Sequence, residues 1–147
     1  MNIFIKNKRG FTLMEVMAVV ILIGILTAAG VPYYKDHVER QKSVIGITSL
    51  RMFADSVERY MALHNNNIPT DFTLLDVDMD PSNIGDGGES YSDGVFVYKI
   101  ADGHVQANRN GGLYILYFAL GDNPDITCSS DSGNYCQDKL NIKCHNS

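Results

Sequence analysis

The chain has 147 residues, room for one domain, of which 45% are hydrophobic and 20% charged. Its formal net charge is -5 and its Lys and Arg residues do not cluster beyond Arg9, which excludes the basic surface that phosphate binding needs, so no nucleic-acid partner is expected. The hydrophobic residues are unevenly spread: Val16 to Tyr34 carries no charge, while the last hundred or so residues are polar and rich in Gly, Asn and Asp.

The opening segment, residues 1–10, carries Lys6, Lys8 and Arg9 and no acid, so it is expected to stay on the cytoplasmic side of a membrane. From Phe11 to Tyr34 the only charge is Glu15. As a helix this run is about 36 Å long at ~1.5 Å per residue, enough to cross a hydrocarbon core of about 30 Å. It exceeds the apolar core of an ordinary secretory signal, about 7 to 15 residues, and no A-x-A cleavage site follows it. Glu15 would cost roughly 2 to 3 kcal/mol or more in the membrane interior and calls for a partner. Gly10, with no side chain, precedes Phe11 as though the bond between them must be accessible. Small residues at Ala18, Gly24, Ala28 and Ala29 allow close helix approach in an apolar medium.

The stretch Lys8-Arg9-Gly10-Phe11-Thr12-Leu13-Met14-Glu15 resembles the processing signal of type IV prepilins and of the related type II secretion pseudopilins. The resemblance implies cleavage between Gly10 and Phe11 by a prepilin peptidase and N-methylation of Phe11. It implies an assembly role for Phe11, Thr12 and Glu15, with Glu15 meeting the N-terminal amine of a neighbouring subunit. Pro32 falls where family members carry a helix-kinking proline, and Met14 stands in a place more often held by Ile, a volume-conserving change. Physically, cleavage creates an ammonium at Phe11 in the same apolar layer as Glu15, where opposite charges attract far more strongly than in water. The pair can form within one helix, or between stacked subunits in a head-to-tail contact that does not close and so grows a fibre.

Beyond Pro32, Ile47, Leu50, Ala54, Val57 and Met61 recur at helical spacing with Phe53 and Tyr60 widening the stripe, and Arg51, Asp55 and Arg59 alternate in sign beside it. The helix is expected to run on to about Leu63, with bends or local melting at Gly30, Pro32 and Gly46, and to end at Asn65-Asn66-Asn67 and Pro69. Residues 64–94 read as a connecting loop with a short strand or turn at Phe72 to Val77. Its Asp76, Asp78 and Asp80 lack EF-hand spacing, because Pro81 stands where Gly is needed; a solvated acidic loop is expected. Strand signals follow over Val95–Ile100, His104–Ala107 and Leu113–Leu120, separated by Ala101-Asp102-Gly103 and Asn110-Gly111-Gly112. The expected architecture is α+β: a long N-terminal helix, half transmembrane (11–34) and half amphipathic, packed on a small antiparallel sheet (95–120) in a head spanning 35–147, the architecture the resemblance also implies.

Residues 121–147 hold Cys128, Cys136 and Cys144. On an exported head they are expected to form a disulfide. Cys128 with Cys136 is favoured because the Ser129–Tyr135 loop is short and turn-rich, leaving Cys144 free or competing. With His145 these cysteines lack any CxxC knuckle, so no metal is expected, and no cofactor either. His37, His64, His104 and His145 are scattered and no nucleophile motif or phosphate loop is present; no enzyme is expected. The expected function is a pilin, the structural subunit of a type IV pilus-like filament. Its partners are further copies or other pilins, the prepilin peptidase and the inner-membrane assembly machinery. It is expected to cross the inner membrane once before assembly and to lie in a surface or periplasmic filament afterwards. A type II secretion pseudopilin and a single-pass anchored binding module are the alternatives.

Overall fold

The computed structural model describes residues 10–101, 103–121 and 124–145; leader residues 1–9 and the turn residue Asp102 lie outside them. The chain divides into two compact units, Met1–His37 and Val38–Ser147. Helix α1, Leu13–Leu63, is continuous through Gly30, Pro32 and Gly46, so of the bends or local melting expected at these residues the melting does not occur. Pro32 leaves one backbone carbonyl of the preceding turn without its helix donor, and the bonds on either side keep the ladder running.

In the first unit, Leu13 to Pro32 of α1 is apolar but for Glu15 and Thr27, and none of these residues is buried among the described residues: Leu13, Met14 and Leu26 are more than 70% exposed. In the second unit the helix is one-sided. Leu50, Phe53, Ala54 and Val57 are fully buried, and Ile47 and Met61 pack at the margin. The stripe therefore lies as its spacing predicts, with Phe53 at its centre: its ring meets Tyr98 at 5.0 Å and Phe72 at 5.2 Å, both edge-on. Each such side chain contributes about 1.5 to 3 kcal/mol by leaving water. Beyond Leu63 the helix ends where Asn65 and Asn66 take positive φ (53° and 63°) and the Asn66 amide donates to the Met61 carbonyl at 2.9 Å, a left-handed termination that asparagine tolerates.

The sheet has five antiparallel strands in chain order: β1 Ser90–Ser92, β2 Phe96–Ala101, β3 His104–Arg109, β4 Ile115–Ala119 and β5 Ile126–Ser129. Alternation decides its faces. Phe96, Tyr98, Val105, Ala107, Leu116 and Phe118 point to the helix stripe and are buried, while Val97, Lys99, Gln106 and Tyr117 take the other side. Two of the strands, β1 and β5, lie in segments expected to be loop and cysteine tail. β1 offers a single inward side chain, Tyr91, and β5 only Ile126 and Cys128, opposite Phe118 and Leu116, runs too short for a period-two signal. The third expected strand is shorter than Leu113–Leu120: Leu113 and Tyr114 precede it, although Tyr114 is buried. β3 is longer, continuing to Arg109, whose amide donates to the Tyr114 carbonyl at 3.0 Å. The connecting loop folds into two 3-10 turns, Phe72–Leu74 and Pro81–Asn83, capped by the Asp71 and Asp80 side chains. Phe72 is fully buried.

Gly46 sets how closely α1 approaches the sheet. A methyl group there would lie 2.8 Å from Phe96 Cζ and 3.1 Å from Leu116 Cδ1, and both of those side chains are fully buried. A glycine that costs the helix about 1 kcal/mol relative to alanine is thus explained by packing. Gly46→Ala is expected to destabilise the detergent-solubilised subunit by roughly 1 to 2 kcal/mol, because overpacking outweighs the gain in helix propensity. Urea unfolding followed by near-ultraviolet circular dichroism measures it, and a midpoint equal to or above wild type would contradict the packing account.

Candidate assembly site

The helix start is built by two residues. Thr12 occupies the N-cap position: its carbonyl accepts from the Glu15 amide at 3.1 Å and the Val16 amide at 3.3 Å. Its hydroxyl accepts from the Glu15 amide at 3.3 Å, while the Glu15 carboxylate accepts from the Thr12 amide at 3.1 Å and from the Thr12 hydroxyl at 3.0 Å. This reciprocal arrangement is a capping box, which satisfies amides that a helix start leaves open and places a carboxylate at the positive end of the dipole. Both bonds accepted by the carboxylate go to Oε2. The signal was present in the sequence as Thr-x-x-Glu before an apolar run, and it assigns Thr12 a local physical role that the family resemblance alone does not supply. Gly10 and Phe11 precede the helix and are exposed, Phe11 at 86%. Pro32 is exposed within α1.

From Leu13 through Ala29 the helix presents no buried residue. It is the one helix among the described residues long and apolar enough to cross a membrane. A surface of this kind has two ways to leave water: a lipid bilayer, or other helices of the same character.

In the second unit the polar groups brace the fold. Arg109 of β3 makes a two-pronged contact with Glu39 of α1, Nε to Oε2 and Nη2 to Oε1, each 3.1 Å. Its Nη1 also donates to the carbonyls of Val95 (3.0 Å) and Asn110 (2.9 Å). The two side chains are only 11% and 17% exposed, and no spacing signal links residues so far apart in sequence. The Arg109 guanidinium holds the Glu39 carboxyl below the ordinary glutamate range against the opposing effect of burial, and Lys42 adds to the effect. In the acidic loop, Asp76 accepts from Arg59 at 2.7 Å through each oxygen and also pairs with the Ser56 hydroxyl. Asp80 caps its own turn. Asp76 and Asp80 are thus committed to the chain itself, and among the described residues no group of three His, Cys, Asp or Glu is arranged to hold a metal.

Cys128 and Cys136 are joined by a disulfide with Cα atoms 5.7 Å apart, and Cys144 carries a free thiol. Cys136 opens the π-helical turn Cys136–Leu140, whose Lys139 carbonyl accepts from Arg40 of α1 at 2.6 Å. His145 lies against Tyr117, rings stacked at 4.4 Å. His64 lies against Tyr60 at 3.9 Å. Neither contact gathers a catalytic set.

Two outcomes follow. Thr12→Val removes the hydroxyl from both sides of the capping box, and hydrogen exchange at the Glu15 and Val16 amides should accelerate roughly 2- to 30-fold, the equivalent of the ~0.5 to 2 kcal/mol of a lost cap; unchanged exchange would dismiss the box. For Glu39 the folded carboxyl titrates below the unfolded one. Its contribution is therefore complete above the unfolded value and is lost as pH falls through the folded one. Stability should drop on acidification through the ordinary glutamate range, and Glu39→Gln should flatten that limb while costing about 1 to 3 kcal/mol at neutral pH, below the figure for a fully buried pair. Parallel pH-stability curves for the two proteins would contradict this.

The prokaryotic N-terminal methylation motif matches residues 5–31. Type II secretion system core protein G of Aeromonas hydrophila is 28% identical over 138 residues, covering 88% of this chain and 94% of that protein. A fimbrial protein of Pseudomonas aeruginosa is 41% identical over 54 residues, 35% of each chain. Type IV major fimbrial protein FimA of Dichelobacter nodosus is 44% identical over 41 residues, 28% of this chain and 26% of the other. No solved structure matches the chain. A methylation motif on an apolar helix, likeness to both fimbrial and secretion proteins, and a helix packed on an antiparallel sheet agree in making the chain similar to type IV pilins and pseudopilins.

Proposed function

We propose that this protein is a structural, non-catalytic subunit of a type IV pilus-like filament. The observation that carries the reading is the uncovered apolar helix Leu13–Ala29 directly behind an exposed Gly10–Phe11 bond. Before assembly the helix resides in the inner membrane, with the basic leader on the cytoplasmic side. A prepilin peptidase cuts after Gly10 and methylates Phe11. The new ammonium and Glu15 then share one apolar layer, where pairing is strong and an unpaired charge is costly. Thr12 holds Glu15 through Oε2, which leaves Oε1 to accept from the Phe11 ammonium of the next copy. Assembly machinery in the inner membrane draws each subunit into a filament of like or mixed pilins, in which Pro32 acts as a kink. The disulfide-closed C-terminal region belongs to the exported side.

A second reading has its own support. The alignment that runs nearly the whole length of this chain is to a secretion core protein, whereas the fimbrial alignments are confined to shorter stretches. A pseudopilin would share the processing and the helix assembly but form a periplasmic filament. Deleting the gene separates the two: loss of surface filaments supports the pilin, and loss of protein export with filaments intact supports the pseudopilin.

Intact-mass analysis of the assembled subunit should find a chain starting at N-methyl-Phe11. Because Lys6, Lys8 and Arg9 leave with the leader, its formal charge moves from -5 by three units to -8. Glu15→Val, expressed as the only copy, should insert in the membrane normally yet give little or no filament. Met1 retained in filaments would overturn the processing, and normal filament yield from Glu15→Val would overturn the charge-guided docking.

A further inference from the structure

The C-terminal segment brings three cysteines into one place. Cys128 is buried in β5 and bonded to Cys136. After the turn Cys136–Leu140 the chain comes back alongside β5 and runs parallel to it. The Cys128 amide donates to the Lys143 carbonyl at 2.9 Å, and the His145 amide donates to the Cys128 carbonyl at 2.8 Å. That pair of bonds sets Cys144 directly opposite Cys128 in a parallel bridge. Paired strands lie about 4.7 to 4.9 Å apart, within the ~4.4 to 6.8 Å that the Cα atoms of a disulfide span. Opposed residues also project to the same face of a sheet, and Cys144 packs against the same core that buries Cys128. The returning segment is held in this register by Lys143 on Asp125 (2.8 Å), by His145 Nδ1 with the Thr127 hydroxyl (2.8 Å) and by the His145 ring on Tyr117.

We propose that Cys144 is an internal exchange thiol that converts the Cys128–Cys136 disulfide into Cys128–Cys144. The Cys144 thiolate attacks Cys128 Sγ, the Cys128–Cys144 bond forms as the Cys128–Cys136 bond breaks, and Cys136 leaves as a thiolate that takes up the proton Cys144 gave to solvent. One disulfide is lost and one gained, so no oxidant or reductant is consumed. The isomers constrain different parts of the head. Cys128–Cys136 closes Ser129–Tyr135 and fastens the π-helical turn. Cys128–Cys144 fastens the returning segment to β5 and releases that turn, which keeps its Arg40–Lys139 contact with α1. A freed Cys136 is a small apolar side chain suited to its buried position. Doubling the closed loop shifts the loop-closure preference by only about 3-fold, so loop length by itself does not settle which isomer persists.

The test uses the full chain purified in detergent without reductant. Samples held oxygen-free at pH 6, 7 and 8 are quenched with acid, alkylated and mapped by peptide mass spectrometry. The alkyl label should move from Cys144 to Cys136 at one label per chain, and faster at higher pH, because the attacking species is the thiolate. Cys144→Ser should keep Cys128–Cys136 at every pH. Cys136→Ser, oxidised during export, should give a monomer bridged Cys128–Cys144 with the wild-type circular dichroism spectrum. A label that stays on Cys144 at every pH overturns the proposal, as does a folded Cys136→Ser chain with both thiols free or linked to a second copy. If Cys136→Ser does not fold, the movement of label in the wild-type chain decides alone.

Discussion

An apolar helical surface left uncovered among the described residues is the constraint around which this protein is organised. Between Leu13 and Ala29 no residue is buried, and helices of this composition are stable only in lipid or against one another. A surface that must change partners, first lipid and then protein, accounts for the other features of the N-terminus. Its small residues permit close approach in an apolar medium. Its one carboxylate would be costly in lipid unless paired, and the capping box offers it a local hydrogen-bonding partner without closing both oxygens.

The second half of the same helix solves the opposite problem. Its stripe is covered, and Gly46 lets the backbone come close enough for Phe96 and Leu116 to pack on it. The Glu39–Arg109 pair fastens α1 to the end of β3 and to the turn beyond it, with the guanidinium also satisfying two carbonyls. A half-buried ion pair is seldom a large net source of stability. Its worth here lies in register, because Arg109 reaches its partners only when β3 and α1 are correctly aligned.

Much of this was legible in the residues. The uncharged run marked the exposed apolar part of α1, and the spacing of Leu50, Ala54 and Val57 marked the covered face. Period-two alternation revealed β2, β3 and β4 because each runs for five or six residues with alternate side chains buried. β1 and β5 stayed hidden because they are only three and four residues long, and their pairing is long-range information absent from local pattern. Glu39 and Arg109 were silent for the same reason. Gly46 was misread as a weak point of the helix, since a glycine's packing partner does not show in its neighbours along the chain. Thr12 and Glu15 carried a readable capping signal, masked by the stronger meaning of the motif around them. The register that sets Cys144 opposite Cys128 depends on the turn Cys136–Leu140 and on Asn141 in left-handed backbone, which no spacing of cysteines reveals.

The central claim is that the apolar start of α1 exchanges lipid for copies of itself. Electron cryomicroscopy of sheared filaments, at a resolution that traces the helix, tests it most directly. The account predicts filaments built from this chain, with residues 13–29 packed against other copies in the interior and each Glu15 carboxylate within hydrogen-bonding distance of another copy's Phe11 nitrogen. Filaments in which that helix lies on the outside, or in which Glu15 meets no ammonium but its own, would contradict it.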